Sequence, residues 1–131
     1  MFYELSQKFF FEAAHTLDRE LDAEGSRRIH GHTYQAQVTV RGAPHARSAM
    51  ILDLGDLNAH INRVRNQLDH HFLDEVPGLG PATLESLCAF IYRELLAMVP
   101  NVVRVRVERS ATGDRCELVS AACIPTPLKV H

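Results

Sequence analysis

Tyr3, Leu5, Phe9, Phe11 and Ala13 share one parity along residues 3–15, with Gln7 the polar exception and His15 in phase at the end. Alternation of period two predicts a strand. The apolar alternation resumes after His30-Gly31-His32, and residues 29–41 predict a second strand. Side chains two apart on a strand leave the same face, so His30 and His32 project together, about 7 Å apart by strand rise. Antiparallel pairing of these two strands brings His15 close to both. Residues 16–29 are rich in Asp, Glu, Arg and Gly and predict a loop; a loop of that length in a compact domain is usually functional or mobile.

The period then changes. Leu54, Leu57, Ile61, Val64 and Leu68 are spaced 3, 4, 3, 4, one stripe of an amphipathic helix over residues 54–68. Asp53 reads as its N-cap, with Asp56 as a capping-box-like partner that suits the positive helix end. Pro77, Gly78, Gly80 and Pro81 mark a loop. Thr83 caps a second helix with Glu85 in its first turn. Its stripe is Leu84, Cys88, Ile91, Leu95 and Met98, and Pro100 stops it. Val103, Val105 and Val107 alternate with Arg104, Arg106 and Glu108 in a third strand. Residues 111–114 form a hairpin loop, and a fourth strand runs over residues 115–124.

The order is β-β-α-α-β-β. It predicts an α+β domain, a four-stranded antiparallel sheet with two helices on one face. Four strands leave two edges that need protection. Pairing edges between subunits to close a larger barrel removes them, so a homo-oligomer is expected.

Composition narrows the function classes. The 131 residues suffice for one domain with a real core. A net charge of −2, with no basic run longer than Arg27-Arg28, leaves no electrostatic footprint for nucleic acid or anionic membrane. No segment approaches a transmembrane helix in length, and Glu4, Lys8 and Glu12 break the apolar N-terminal run, unlike a signal peptide. Cys88, Cys116 and Cys123 are odd in number and lack metal-site spacing, which fits buried thiols in a reducing cytoplasm. Eight histidines are many for this length. Two imidazoles on one strand face are two thirds of a catalytic zinc site, which commonly has three protein ligands and an open fourth position. Scattered strand histidines are the bland reading of the same pattern.

Phe11-Glu12-Ala13-Ala14-His15, Ile29-His30-Gly31-His32, Leu68-Asp69-His70-His71-Phe72-Leu73, Thr83-Leu84-Glu85 and Val107-Glu108 occur together and in order. In these motifs the chain resembles the 6-pyruvoyltetrahydropterin synthase / 6-carboxytetrahydropterin synthase family over almost its whole length. The resemblance implies a single tunnelling-fold domain over residues 1–131. It also implies trimers that close a twelve-stranded barrel, usually paired as hexamers with active sites between subunits. It makes His15, His30 and His32 zinc ligands. Zinc in that family holds the hydroxyls of the substrate side chain, where a Lewis acid stabilises developing charge. Asp69 and His70 match a proton-relay pair in which the carboxylate orients the imidazole as a general base, with His71 as the bystander. Glu108 matches the anchor of the pterin ring, since a carboxylate can accept two parallel hydrogen bonds from an amino-pyrimidinone edge; it is also assigned to the relay. The bland alternatives are a helix end for Asp69-His70 and, for Glu108, a cross-strand ion pair with Arg104 or Arg106. Thr83 and Glu85 read as helix capping.

The chain departs from the family where a cysteine precedes HGH. That position holds Ser26 by the spacing of the carboxy-forming members and Glu24 by that of the pyruvoyl-forming members. Serine cannot simply replace a thiolate base. A glutamate can act as general base when its pKa is raised, and some members use one to cleave the side chain to a 6-hydroxymethyl pterin. The rival for Glu24 is a solvated charge in the acidic run Asp18, Glu20, Asp22. The resulting expectation is a cytoplasmic zinc-dependent lyase acting on 7,8-dihydroneopterin triphosphate and forming 6-carboxytetrahydropterin (a queuosine precursor) or 6-pyruvoyltetrahydropterin. The alternatives are cleavage to 6-hydroxymethyldihydropterin using Glu24, or a pterin-binding protein that has lost the chemistry. A structural zinc site with no ligand is the third reading.

Overall fold

Strand β1 (Tyr3–His15) pairs antiparallel with β2 (His30–Gly42), β2 with β3 (Val102–Arg109), and β3 with β4 (Asp114–Val119), in a four-stranded sheet of order β1-β2-β3-β4. The structure, a computed structural model, describes residues 1–121. The expected β1 and the first long helix, α2 (Leu54–Leu68), have the predicted bounds. Helix α3 is Leu84–Leu96. It ends before Met98, which is exposed rather than part of the buried stripe. The expected loop over residues 16–29 contains a short helix, α1 (Ala23–Arg27). One turn of five residues is too short for a periodic signal. The fourth strand ends at Val119 among the described residues, and residues 122–124 of that expectation lie outside them.

Alternation assigns every strand residue to a face. Phe9, Phe11 and Ala13 of β1, Tyr34, Ala36, Val38 and Val40 of β2, and Val105 and Val107 of β3 are buried against Leu57, Ile61, Val64 and Leu68 of α2 and Leu87, Cys88, Ile91 and Leu95 of α3. Burial of these apolar faces, more than helix propensity, holds the helices on the sheet. Both caps form: Asp53 accepts from the Gly55 N–H, and Thr83 accepts from the Ser86 N–H. The opposite sheet face is polar. On it Arg104 pairs with Glu4 at 3.1 Å and Glu117 at 3.3 Å, Arg106 donates to Gln37, and Ser6 and Thr39 hydroxyls meet at 2.8 Å.

The C-terminal half of β1 is not a bare edge. The His70 N–H donates to the Glu12 carbonyl at 2.6 Å and the Ala14 N–H to the His71 carbonyl at 3.2 Å, so the segment after α2 lies along the strand end that carries His15. Among the described residues no helix is long and apolar enough to cross a membrane.

Candidate metal centre and its flanking pockets

The register pairs His15 with His30 and Ala13 with His32. Parity then turns His15, His30 and His32 toward the helix-covered face. Their ring nitrogens converge: Nε2 of His15 lies 2.9 Å from Nε2 of His30 and 3.1 Å from Nε2 of His32. The backbone sets the tautomers. Nδ1 of His15 lies 2.8 Å from the Ala82 carbonyl and Nδ1 of His30 lies 2.8 Å from the Arg28 carbonyl. A carbonyl only accepts, so both Nδ1 atoms carry the proton and both Nε2 atoms present lone pairs to each other. Two lone pairs at 2.9 Å repel unless a cation lies between them.

The donor set fits zinc. Three neutral imidazoles suit that ion rather than magnesium or calcium, and Zn–N bonds of 2.0–2.1 Å in a tetrahedron separate the nitrogens by about 3.3 Å. The observed spans are within a few tenths of that value. Carbonyl-anchored Nδ1–H groups are also the usual second support of a histidine ligand. Thr16 strengthens this frame, because its N–H donates to Asp74 Oδ1 at 2.9 Å and its hydroxyl donates to the same carboxylate. That clamp holds the end of β1 next to His15, and neither Asp74 nor the Ala82 carbonyl carries a sequence signal.

Burial depresses the proton affinity of the triad. His15 is held below the ordinary imidazole value first by burial and then by the neighbouring His30 and Arg109. His32 is lowered to about 4 by burial, with His15 and Arg109 adding to the effect. Both rings are therefore neutral at pH 7. In the metal-free chain the unfolded state, with histidines near 6.5, binds more protons than the folded state as pH falls below that value. Unfolding free energy then drops with falling pH through the window from about 6.5 toward 4. Urea midpoints of metal-free protein at about pH 7.5 and pH 5 check this, and His32→Asn is expected to reduce the difference between them.

Asp69 caps α2, and His70 follows with a left-handed φ of 59°. That turn places the His70 Nδ1 2.9 Å from Asp69 Oδ2. The Glu12 N–H donates to Asp69 Oδ1 at 2.9 Å, and Arg65 lies 3.2 Å from its other oxygen. Chiefly through the Glu12 N–H, and further through His70 and Arg65, the Asp69 carboxyl is held below its usual range and stays ionised. The His70 ring is 76% exposed. An open depression of about 530 Å³ at the end of β1 is lined by Glu12, Gly31, His32, Thr33, His70 and His71, of which Glu12, Gly31 and Thr33 have the parity of the face opposite the triad. His71 turns its Nδ1 to the Asp69 carbonyl at 2.8 Å.

Glu108 is placed differently. The register pairs it with Gln35 of β2 and Arg115 of β4, on the polar face opposite the histidines. It is in none of the ion pairs found among the described residues, because Arg104 and Arg106 are engaged by Glu4, Glu117 and Gln37. The next residue, Arg109, takes the histidine face. With Tyr34 it lines a second pocket, of about 540 Å³, beside His15, Ala82, Thr83 and Glu85. Both residues share parity with positions already legible as core, Arg109 with Val105 and Val107 and Tyr34 with His30 and His32. That signal could have found them.

The residues in the cysteine's place also separate. Glu24 is exposed on α1 and its carboxylate is turned to Arg28 at 3.0 Å. Ser26 is buried, with its hydroxyl donating to the Ala23 carbonyl at 3.0 Å and accepting from the Arg19 N–H at 3.4 Å. No thiol of the described residues joins the histidine cluster. Cys88 is a core thiol, pushed up to about 12 by burial and by Cys116, and Cys123 lies outside the described residues.

The family model described as 6-pyruvoyl tetrahydropterin synthase matches residues 4–118. A 6-carboxy-5,6,7,8-tetrahydropterin synthase of Synechocystis is 35% identical over 114 residues, covering 82% of this chain and 86% of the relative. Among solved structures, 6-pyruvoyl tetrahydropterin synthase of Caenorhabditis elegans aligns with a TM-score of 0.80 at 23% identity, over 92% of this chain and 97% of that one. A Plasmodium vivax 6-pyruvoyltetrahydropterin synthase, solved as a variant in which a catalytic glutamate is replaced by alanine, aligns with a TM-score of 0.69 at 17% identity, over 91% and 99% of the two chains. Both structures share the four-stranded sheet and helices described above.

Proposed function

The chain belongs to the 6-pyruvoyl tetrahydropterin synthase family, and from that premise we propose that it is a zinc-dependent lyase acting on 7,8-dihydroneopterin triphosphate. The observation that carries this reading is the convergence of the Nε2 atoms of His15, His30 and His32, with the lone pairs of His15 and His30 fixed by Nδ1–H bonds to backbone carbonyls. Bound there, zinc supplies Lewis acidity toward the hydroxyls of the substrate side chain. His70 takes and returns the proton, and Asp69 fixes the imidazole's tautomer and stabilises its charged form. That His70 and His32 both line one open depression supports this role.

The Synechocystis name supports 6-carboxytetrahydropterin as product, and the family description supports 6-pyruvoyltetrahydropterin. One observation favours a second reading, cleavage to 6-hydroxymethyldihydropterin: a glutamate, Glu24, stands near the place of the family's cysteine. The Plasmodium vivax protein, in which a glutamate is a catalytic residue, supports a catalytic role for Glu24. That role requires loop 16–29 to carry Glu24 away from Arg28 and over the site. Glu108, on the other sheet face, keeps a ring-anchoring role only in a site that another copy completes. We place that copy in a trimer whose β1 and β4 edges pair to close a barrel around the polar face. The free thiols Cys88 and Cys116 suit a reducing, cytoplasmic setting.

Incubation of zinc-loaded protein with 7,8-dihydroneopterin triphosphate is expected to yield one of these three products. If Glu24 is the base, Glu24→Gln lowers turnover by about 10²–10⁴-fold. Pterin binding with no product, unchanged in Glu24→Gln, sinks the enzymatic reading in favour of a pterin-binding protein.

A further inference from the structure

Loop 16–29 leaves β1 directly after His15 and enters β2 at His30, so its two ends are two of the three imidazoles. Its exit fixes one of them: the Arg28 carbonyl, at 2.8 Å, is the acceptor that holds the His30 Nδ1–H. The bonds that shape the loop therefore decide where that acceptor sits.

Those bonds meet at Ser26. It is 5% exposed and is one of three buried polar or charged residues among the described residues, with His15 and Thr39. Its carbonyl accepts from the Leu17 N–H at 2.7 Å, which closes the neck of the loop two residues after His15. Its N–H donates to the Asp22 carbonyl at 2.8 Å. Its hydroxyl donates to the Ala23 carbonyl at 3.0 Å and accepts from the Arg19 N–H at 3.4 Å. Every polar atom of the residue is engaged inside the loop, and a buried hydroxyl so engaged is costly to remove. Asp22 enters the turn with a left-handed φ of 52°, a conformation that persists where surrounding bonds hold it. The Arg28 N–H then donates to the Gly25 carbonyl at 3.3 Å, which carries the geometry of that turn to the acceptor of His30. On its other side the neck is anchored through Thr16, which Asp74 holds at 2.9 Å.

We propose that Ser26 is a positioning residue of the metal centre, latching loop 16–29 so that the Arg28 carbonyl holds the His30 ring. The position that spacing matches to a cysteine then has a task toward the metal, and its hydroxyl faces the loop interior rather than a substrate. Partners that orient a histidine ligand through its second ring nitrogen govern metal affinity. The inference rests on the reading of the histidine triad as a metal centre.

Proton–nitrogen NMR of the histidine rings in the zinc-loaded full chain tests it. The Nδ1–H of His15 is held by the Ala82 carbonyl, outside the loop, and serves as internal reference. In Ser26→Ala the His30 Nδ1–H is expected to exchange with water about tenfold faster or more, with that of His15 unchanged. Zinc affinity by chelator competition is expected to fall about tenfold or more, the usual cost of losing a ligand's support. Thr39→Val removes another buried hydroxyl, the one that meets Ser6 at 2.8 Å, and is expected to leave both measurements unchanged. The thiol introduced by Ser26→Cys is expected to react with iodoacetamide only as the chain unfolds. Unaltered His30 exchange in Ser26→Ala overturns the proposal. Equal acceleration at His15 and His30, or an equal loss of zinc affinity in Thr39→Val, reduces Ser26 to general stability and overturns it as well. Rapid alkylation of the Ser26→Cys thiol in the folded chain does the same. A wild type that binds no zinc overturns both this inference and the lyase reading. A Ser26-dependent zinc site in a chain that does not turn over 7,8-dihydroneopterin triphosphate defeats the lyase reading alone. Turnover with His30 exchange indifferent to Ser26→Ala defeats this inference alone.

Discussion

His15→Ala is expected to abolish metal retention and to destabilise the chain more than loss of either other histidine. Its ring is 1% exposed and makes contacts on both sides, Nδ1 to the Ala82 carbonyl and Nε2 to the other two imidazoles. Alanine leaves a cavity and an unpaired buried carbonyl. Together these cost about 2–4 kcal/mol in metal-free protein. Metal linkage adds to the loss, because an ion that binds only the folded state stabilises it by mass action. His30 and His32 are half-buried, so His30→Ala and His32→Ala are expected to lose zinc with a smaller change in the metal-free urea midpoint. Zinc content after dialysis against a chelator, together with urea midpoints, checks all three. Retention of about one zinc per chain by His15→Ala contradicts the ligand assignment.

His70→Ala is expected to lower kcat by about 10²–10⁴-fold, the usual contribution of a positioned general base, with zinc content and urea midpoint nearly unchanged. The exposed ring has little packing to lose. Asp69→Asn is expected to lower kcat in the same direction. Asparagine can still accept from the Glu12 N–H, but it brings no charge to support the imidazolium. Steady-state kinetics on zinc-loaded variants decides. A His70→Ala enzyme with wild-type kcat removes His70 from the mechanism.

Periodicity made most of the fold legible. Strands of thirteen residues and the helix over Leu54–Leu68 carry enough alternation or heptad-like spacing to define their own bounds. Helix α1 has five residues and no such pattern. The triad was legible because strand parity and antiparallel register are short-range rules, and they put His15 opposite His30 without any tertiary detail. The same parity rule sends Glu108 to the polar face and Arg109 to the histidine face. The motif match at Val107-Glu108 implies a ring anchor, and the register shows which face of the sheet that carboxylate takes. The roles of the Ala82 carbonyl and Asp74 were beyond a sequence reading, since both depend on how the segments before α3 fold back against β1. Ser26 looked like a cysteine substitute by spacing, while its hydroxyl is engaged within its own turn.

The metal centre is the claim on which the rest depends, and zinc K-edge X-ray absorption on zinc-loaded protein tests it most directly. The account predicts three imidazole nitrogens and one further nitrogen or oxygen donor at about 2.0–2.1 Å, and no retained zinc to give that spectrum in His15→Ala. Sulfur scattering near about 2.3 Å, or a zinc site unchanged by His15→Ala, would contradict it.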